Sequence, residues 1–191
     1  MEFGEDATKA MDSSGGALIR KQIGVAIGMA AAVAITVILF AASSSGGADV
    51  DRIRLWLACS SAAALWLMIA VARLARHRFF SAQDVDGAMS GTSSARARML
   101  QAVIQNTLEQ TVLAIAAYGA WLLLGPPSGA RLVMSCAGAF SIGRLLFMIG
   151  YDRGAAARAL GFALTFYPTV GLFLLALPSV ISNLAAGLQG R

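Results

Sequence analysis

The sequence predicts an all-α integral membrane protein. Of its 191 residues, 58% are hydrophobic and only 13% are charged, whereas a soluble domain usually carries about a quarter charged residues. The apolar residues gather into five runs, each near the roughly 20 residues that a helix needs to cross a bilayer. The formal charge of +5 comes from Lys and Arg residues that cluster between these runs. It is therefore a signal of membrane topology, and we expect no nucleic-acid partner.

The N-terminal part of the chain divides into a polar lead and one apolar run. Residues 1–21 are rich in Gly, Ser and Asp and predict a disordered lead. Residues 22–51 predict an additional transmembrane helix, about Ile23–Ala42, followed by a Gly/Ser-rich loop. Arg20 and Lys21 before an apolar run also resemble the start of a signal peptide. Because the run is longer than a usual signal-peptide core, a retained helix is the favoured interpretation, with cleavage left open.

A GxxxG pattern lies in this first apolar run, at Gly24 and Gly28. Such a pattern is typical of a seam between two membrane helices, for example in a dimer. It also occurs in ordinary packing of an Ala-rich helix, which is the favoured interpretation here.

The remaining residues, 52–191, predict a four-helix membrane domain. Its spans are expected at about Ile53–Leu74, Ser94–Leu124, Arg131–Tyr151 and Ala159–Leu184. Ser94 is a favourable N-cap for the second of these helices. A Gly-Pro-Pro stretch follows Leu124 and ends that helix, because proline cannot continue one.

Three basic segments predict the orientation in the membrane. They are Arg20-Lys21, the connector Arg73–Arg98 and the connector Asp152–Arg158. With five spans, all three fall on one side of the bilayer, and with four they do not. The positive-inside rule then places the N-terminus and the basic loops in the cytoplasm of a multi-pass inner-membrane protein, with the C-terminus outside.

The two cysteines, Cys59 and Cys136, both lie inside apolar runs. Their spacing matches neither a disulfide framework nor a metal site. We interpret them as packing residues and expect no bound metal.

Two polar groups interrupt the apolar helices of the domain. Ionisable side chains at membrane depth cost about 2.5–3.5 kcal/mol each, so they are usually paired and functional. Asn106 and Glu109 are three residues apart and share one helix face. Arg144 and Tyr151 are seven apart and share a face of the next helix. The predicted pairing is Glu109 with Arg144, which would create a polar pocket between two membrane helices.

A polar stripe runs along the second helix of the domain. On a helical wheel it consists of Arg98, Gln101, Gln105 and Glu109. On an otherwise apolar helix this stripe cannot face lipid. It is either a structural seam between helices or part of a site for a polar ligand, and the spacing leaves both open.

Four motifs follow one another along the domain. They are Arg78-Phe-Phe-Ser81 with Asp84–Gly87, the stretch Arg98–Gln110 with Asn106-x-x-Glu109 at its centre, Gly143-Arg144-Leu-Leu-Phe147-Met-Ile-Gly150-Tyr151 followed by Arg158, and Gly161-Phe-Ala-Leu-Thr-Phe-Tyr-Pro168. In their order and spacing they resemble the MAPEG family (membrane-associated proteins in eicosanoid and glutathione metabolism). The first and last motifs are similar to its bacterial branch. The resemblance covers about Ile53–Leu184.

The resemblance implies a four-helix bundle that assembles as a homotrimer. Glutathione would bind between neighbouring subunits, near the cytoplasmic side, as the co-substrate. By position in the motifs, Asn106, Glu109 and Arg144 would contribute to its site. The added helix before the domain would be an extension of the family fold.

The resemblance also implies two catalytic residues. Arg158 matches an arginine that activates the glutathione thiol in some members, because a nearby cation lowers the thiol pKa. Tyr151 would donate a hydrogen bond to the sulfur or to a glutathione carboxylate. The implied function is a glutathione-dependent transferase or peroxidase that acts on a lipophilic small molecule.

The chain departs from the resembled family at three positions. It has Ala102 where several members carry an arginine, Gln110 where a tyrosine is frequent, and Phe147 where an aromatic hydroxyl or a histidine is common. Arg98, two turns before Asn106, is expected to replace the missing arginine in part. The alternative interpretation is a non-catalytic MAPEG-like membrane protein that has lost the full thiol site. A small transporter is less favoured, because the chain has no paired repeat of broken helices.

Overall fold

A computed structural model describes residues 2–43, 51–85, 93–126 and 129–189, and these residues are all-helical. The helices are α1 (Glu2–Ser43), α2 (Arg52–Phe79), α3 (Ala95–Gly119), α4 (Ala130–Gly150) and α5 (Ala155–Gln189). A π-helical turn, Ala120–Leu124, extends α3, and a 3₁₀ turn, Tyr151–Arg153, follows α4. All five helices are long and apolar enough to cross a membrane. The predicted class and the five predicted spans are confirmed.

Side-chain caps fix where α2 and α3 begin. The Asp51 carboxylate accepts hydrogen bonds from the backbone N–H groups of Ile53 and Arg54, at 3.1 and 3.2 Å. The Ser94 hydroxyl accepts from the backbone N–H of Ala97 at 3.1 Å. Each cap satisfies backbone donors that have no partner within the helix. Ser94 is thus the N-cap that the sequence predicts.

The end of α3 also lies where the sequence predicts it. Pro126 follows the last π-helical turn and cannot continue a helix. The guanidinium of Arg52 donates to the carbonyl oxygens of Leu122 and Gly125 at 3.0 and 3.3 Å. These bonds satisfy carbonyls at the helix end and join it to the start of α2. The next residue, Pro127, lies outside the described residues.

Helices α2 to α5 share an apolar core. It buries Cys59 of α2, Tyr118 of α3, Val133 and Phe140 of α4, and Leu172 of α5. Cys136 lies in the same cluster, so both cysteines pack as the sequence predicts. Because lipid tails are as apolar as these side chains, close packing holds the helices together more than exclusion of water does.

Glycines bring α4 and α5 into close contact. A Cβ atom at Gly143 would lie 2.8 Å from the carbonyl oxygen of Gly161, and one at Gly161 would collide with the backbone nitrogen of Phe147. Neither position has room for a larger residue. This approach places Arg144, which follows Gly143, directly against α5.

The added helix α1 packs along α5 through its GxxxG pattern. A Cβ atom at Gly28 would lie 2.9 Å from the backbone nitrogen of Leu160, and one at Gly24 would lie 2.7 Å from the Cβ of Ala156. The pattern therefore supports packing within one chain, in agreement with the favoured interpretation. The opposite side of α1 is open, with Val37 63% exposed, as suits a helix that faces lipid.

The start of α1 differs from its prediction. The helix begins at Glu2, so residues 2–21 are helical where the sequence predicts a disordered lead. Ala, Glu, Lys and Met in this stretch favour helix, and a helix already nucleated by the apolar run extends at little cost. The predicted Gly/Ser loop that follows, residues 44–50, lies outside the described residues.

Asp84 organises the connector between α2 and α3. Its side chain is 1% exposed and accepts from the backbone N–H and the hydroxyl of Ser94, at 2.8 and 2.6 Å. It also accepts from the Ser81 hydroxyl at 3.0 Å and lies 2.9 Å from His77 Nε2. The bonds from Ser94, and then those from Ser81 and His77, hold the pKa of the Asp84 carboxyl well below its usual range.

We expect Asp84→Asn to lower Tm in detergent at neutral pH and to lower it by less once the pH falls below about 4. Because the folded-state pKa is lowered, the carboxylate stabilises the fold above its unfolded pKa of about 3.9, and this stabilisation is lost as pH falls toward the folded pKa. Thermal unfolding of wild type and variant from pH 7 down to pH 3 should show a Tm difference that is constant above about pH 4 and begins to narrow below it. Asp152→Asn, an exposed control, should change Tm little at any pH. A Tm difference for Asp84→Asn that does not shrink in acid would contradict the role of charge.

Candidate functional site

A cleft of about 330 Å³ lies between α1, α3, α4 and α5. One edge of it is polar and the other walls are apolar. It is lined by Val25, Met29, Asn106, Phe147, Tyr151, Ala155, Arg158, Ala159 and Phe162. Three of the six site residues that the sequence predicts, Asn106, Tyr151 and Arg158, therefore lie at one cleft.

Arg158 and Tyr151 form the polar edge of the cleft. The guanidinium carbon of Arg158 lies 4.5 Å from the centroid of the Tyr151 ring, and both residues are half-buried. Gly154, at φ 98°, reverses the chain between them, a backbone conformation that glycine adopts without strain. An arginine stays charged at any working pH, so the edge of the cleft carries a permanent positive charge.

Arg144 lies directly behind this cleft and is completely buried. Its guanidinium donates to Asn106 Oδ1 at 3.0 Å, to Thr107 Oγ1 at 3.5 Å and to Thr165 Oγ1 at 2.6 Å. These bonds join α3, α4 and α5 at one point. They also fix the orientation of the Asn106 amide at the cleft wall.

The charge of Arg144 has no carboxylate partner within the described part of the chain. Its guanidinium carbon lies 4.6 Å from the ring centroid of Phe147 and 5.7 Å from that of Phe140. These rings give partial compensation through cation–π attraction, while the Nε–H of Arg144 has no acceptor. The region behind the cleft is thus positive and favours an anion in front of it.

The predicted pairing of Glu109 with Arg144 is wrong within the single chain. Glu109 lies on the exposed face of α3 and accepts a hydrogen bond from Gln105 Nε2 at 2.9 Å. Asn106 takes the place of the carboxylate and contacts Arg144 instead. Residues three apart differ by about 60° around a helix. That angle puts Asn106 at the edge of the buried face and Glu109 beyond it.

The predicted polar stripe of α3 lies on the outer surface of the helical bundle. Arg98, Gln101, Gln105 and Glu109 are all exposed. Arg98 donates to the carbonyl oxygen of Ser93 and does not line the cleft. A polar face within a helix long and apolar enough to span the membrane cannot be left against lipid.

The three departures from the resembled motifs occupy different environments. Phe147 is buried at the cleft, with its ring centroid 5.2 Å from that of Tyr151 in an edge contact. Gln110 is buried inside the bundle, where its Oε1 has no hydrogen-bond partner. Ala102 lies on the exposed face of α3. Of the three positions, only Phe147 lines the cleft.

Several residues at the cleft were missed by the sequence analysis. Thr165 accepts a hydrogen bond from Arg144 and donates to the carbonyl oxygen of Phe162 at 2.7 Å. Thr165 lies within the Gly161–Pro168 motif, four residues after Gly161 and on the same face of α5, but the motif by itself does not show that it contacts Arg144. Val25 and Met29 of α1 carry no signal, because no pattern in the sequence says where the added helix docks.

Comparison with known proteins gives one match. The family model described as the MAPEG family matches residues 55–178. No curated protein and no solved structure matches the chain. The matched residues extend from α2 into α5, and α1 lies before them.

Proposed function

Because the chain belongs to the MAPEG family, we propose that it is a membrane-bound, glutathione-dependent transferase or peroxidase that acts on lipophilic electrophiles. The observation that carries this proposal is the cleft at which Arg158, Tyr151 and Asn106 meet in front of the buried charge of Arg144. Glutathione is an anion at neutral pH and would supply the counter-charge that Arg144 lacks. Asn106, held by Arg144, would orient it.

The chemistry follows from the cation at the edge of the cleft. A thiolate is the nucleophile, and a cation close to the sulfur lowers the thiol pKa from about 8.5. In transfer to an aryl halide, the sulfur forms a bond to the ring carbon that carries the halogen. The halide ion leaves with its electron pair, and the thiol proton passes to water. In a peroxidase reaction, two glutathione thiols are oxidised to the disulfide while a hydroperoxide is reduced to an alcohol and water. Arg158 would stabilise the thiolate in both reactions, and Tyr151 would donate a hydrogen bond to it.

We further propose that a homotrimer covers the polar stripe of α3. Arg98 and Glu109 lie on this stripe, outside the cleft of their own subunit. At a subunit boundary, Glu109 would accept from the amino group of glutathione and Arg98 would contribute positive charge. The cost of exposing polar groups to lipid supports this arrangement.

Purified protein in detergent should conjugate glutathione to a chromogenic aryl halide.

Tyr151→Phe should still bind glutathione but lose part of the conjugation rate, because it removes the hydroxyl donor and keeps the ring that stacks on Arg158. Tyr167→Phe, the same change at a half-buried tyrosine that does not line the cleft, is the control. No turnover and no binding of glutathione by calorimetry, from a protein that elutes as a trimer, would support the non-catalytic alternative. Ala102, Gln110 and Phe147 are the positions that favour that alternative.

For membrane placement we propose five spans in the cell inner membrane, with the N-terminus and the basic loops in the cytoplasm. Reporter fusions after residue 86 and after Arg153 should both give a cytoplasmic signal, because three basic segments fall on that side. A fusion after Pro126, in the connector between α3 and α4 that has no Lys or Arg, should give the opposite signal. A periplasmic signal from either of the first two fusions would contradict the five-span topology.

A further inference from the structure

We infer that the added helix α1 forms the apolar wall of the electrophile site and selects substrates by the length of their alkyl chain. This inference rests on the proposed function and names its substrate class. It concerns residues outside the matched family region, which begins at residue 55. The ligand would be a straight-chain lipophile with an electrophilic carbon at one end.

The first observation is the composition of the cleft walls. Val25 and Met29 of α1 face the same space as Arg158 and Tyr151 of the polar edge. Val25 and Met29 are four residues apart, so their apolar side chains are neighbours on one face of α1. A chain that enters this space contacts α1 on one side while its reactive end reaches the cation on the other.

The second observation is a groove that continues the cleft along α1. It has a volume of about 370 Å³ and also includes Val25, Met29 and Ala155, so the two spaces meet at these residues. From there it extends to Leu18 and Lys21. At about 1.5 Å per residue, the stretch from Leu18 to Met29 is about 16 Å long. The groove therefore suits an extended alkyl chain.

The third observation is that α1 cannot slide freely along α5. Gly28 and Gly24 approach α5 so closely that a side chain at either position would collide with Leu160 or Ala156. This contact fixes which residues of α1 face the cleft. The wall formed by Val25 and Met29 is consequently a defined surface, against which chain lengths can be distinguished.

The test is a homologous series of alkenals, from hexenal through nonenal to dodecenal. Glutathione adds to the β-carbon of the enal, and a proton is delivered to the α-carbon, so the reaction needs no further reactant. Each methylene buried against α1 should raise kcat/KM by about fourfold, until the groove is filled. The wild-type protein should therefore prefer the longer members.

Met29→Trp should block the junction of the cleft and the groove. It should lower kcat/KM for dodecenal at least about tenfold more than it lowers kcat/KM for hexenal, the equivalent of fewer than two lost methylene contacts. Ile27→Trp is the matched control, because Ile27 lies on the same helix, is 65% exposed and lines neither space. Equal chain-length profiles for Met29→Trp and wild type would overturn the inference.

A second measurement separates this inference from the proposed function. A long-chain diazirine probe is photolysed with the full-length protein, and the labelled residues are mapped by mass spectrometry, without any turnover. Labelling of the Leu18–Met29 stretch that dodecenal suppresses supports the groove even if no glutathione conjugation occurs, in which case the proposed function alone fails. Turnover of the alkenals without labelling of this stretch would overturn the role of α1 and leave the proposed function intact.

Discussion

Arg158→Ala should lower the rate of glutathione conjugation about 10- to 30-fold at pH 7 while leaving the KM for glutathione nearly unchanged. A thiol with a pKa of about 8.5 is only about 3% ionised at pH 7, and a cation at the sulfur can bring it close to full ionisation. Arg158 is the charged group at the edge of the cleft, 4.5 Å from the Tyr151 ring centroid. A loss confined to turnover is the signature of an interaction that acts on the reacting atom.

The pH dependence of this variant makes the test specific. If Arg158 acts by lowering the thiol pKa, the variant rate should rise with pH toward about 8.5, so that its deficit shrinks in alkaline buffer. Arg158→Lys should restore part of the rate, because the charge matters more here than the fork geometry. Arg153→Ala, which removes an exposed arginine of the same connector, is the control. A deficit that is the same at every pH would show that Arg158 acts on something other than the thiol.

Arg144→Met should leave the fold intact and weaken the binding of glutathione about 10- to 100-fold. Replacing a buried charge by an apolar side chain of similar volume is often neutral or stabilising, and Arg144 has no carboxylate partner in the described structure. Its loss removes the positive charge behind the cleft and frees the Asn106 amide that it orients. Hydrogen bonds to charged groups are worth about 1.5–3 kcal/mol, which corresponds to this change in affinity.

Calorimetry of glutathione binding and thermal unfolding in detergent, done on the same preparation, test this expectation. Arg54→Met is the control, since its side chain is 87% exposed at the start of α2. Arg144→Lys should bind with intermediate affinity, because an ammonium cannot reach Asn106, Thr107 and Thr165 together as the planar guanidinium does. Unchanged affinity in Arg144→Met would exclude Arg144 from the site.

The Tm changes of Arg144→Met and Glu109→Gln should add in the double variant, because the two side chains make no contact within a subunit. Residues without shared partners usually show additive effects. A double variant whose Tm change is clearly smaller than the sum would show that the two charges meet, for example across a subunit boundary.

Much of the fold could be predicted from local patterns of the sequence. The five apolar runs, the cap at Ser94 and the break at Pro126 each depend on a few consecutive residues, so their positions could be predicted. Even here a limit is visible at the N-terminus. The composition of residues 1–21 predicts a disordered segment, whereas α1 begins at Glu2. Composition alone misses this, because the extension of a helix depends on the helix that already forms next to it.

The site was predictable only as a set of candidates. Asn106, Glu109, Arg144 and the Tyr151–Arg158 segment became candidates because polar groups are costly in a membrane and are therefore usually functional. Their roles at a glutathione site stay predictions. The choice of partner among them was not predictable. Arg144 contacts Asn106 and Thr165 and leaves Glu109 outside, because about 60° of helix rotation decides which of two polar residues faces the next helix.

What the sequence by itself determined is therefore the class of protein, the number of spans and the family, since each depends on residue type and order along the chain. What only the tertiary structure decided is which faces meet. The contact of Gly28 with Leu160 docks α1 on α5, and this docking brings Val25 and Met29 to the cleft of Arg158. The physical reason is that helix contacts in a membrane depend on the fit of small residues against a backbone far away in the chain. That fit is a property of two surfaces together, and neither helix specifies it alone.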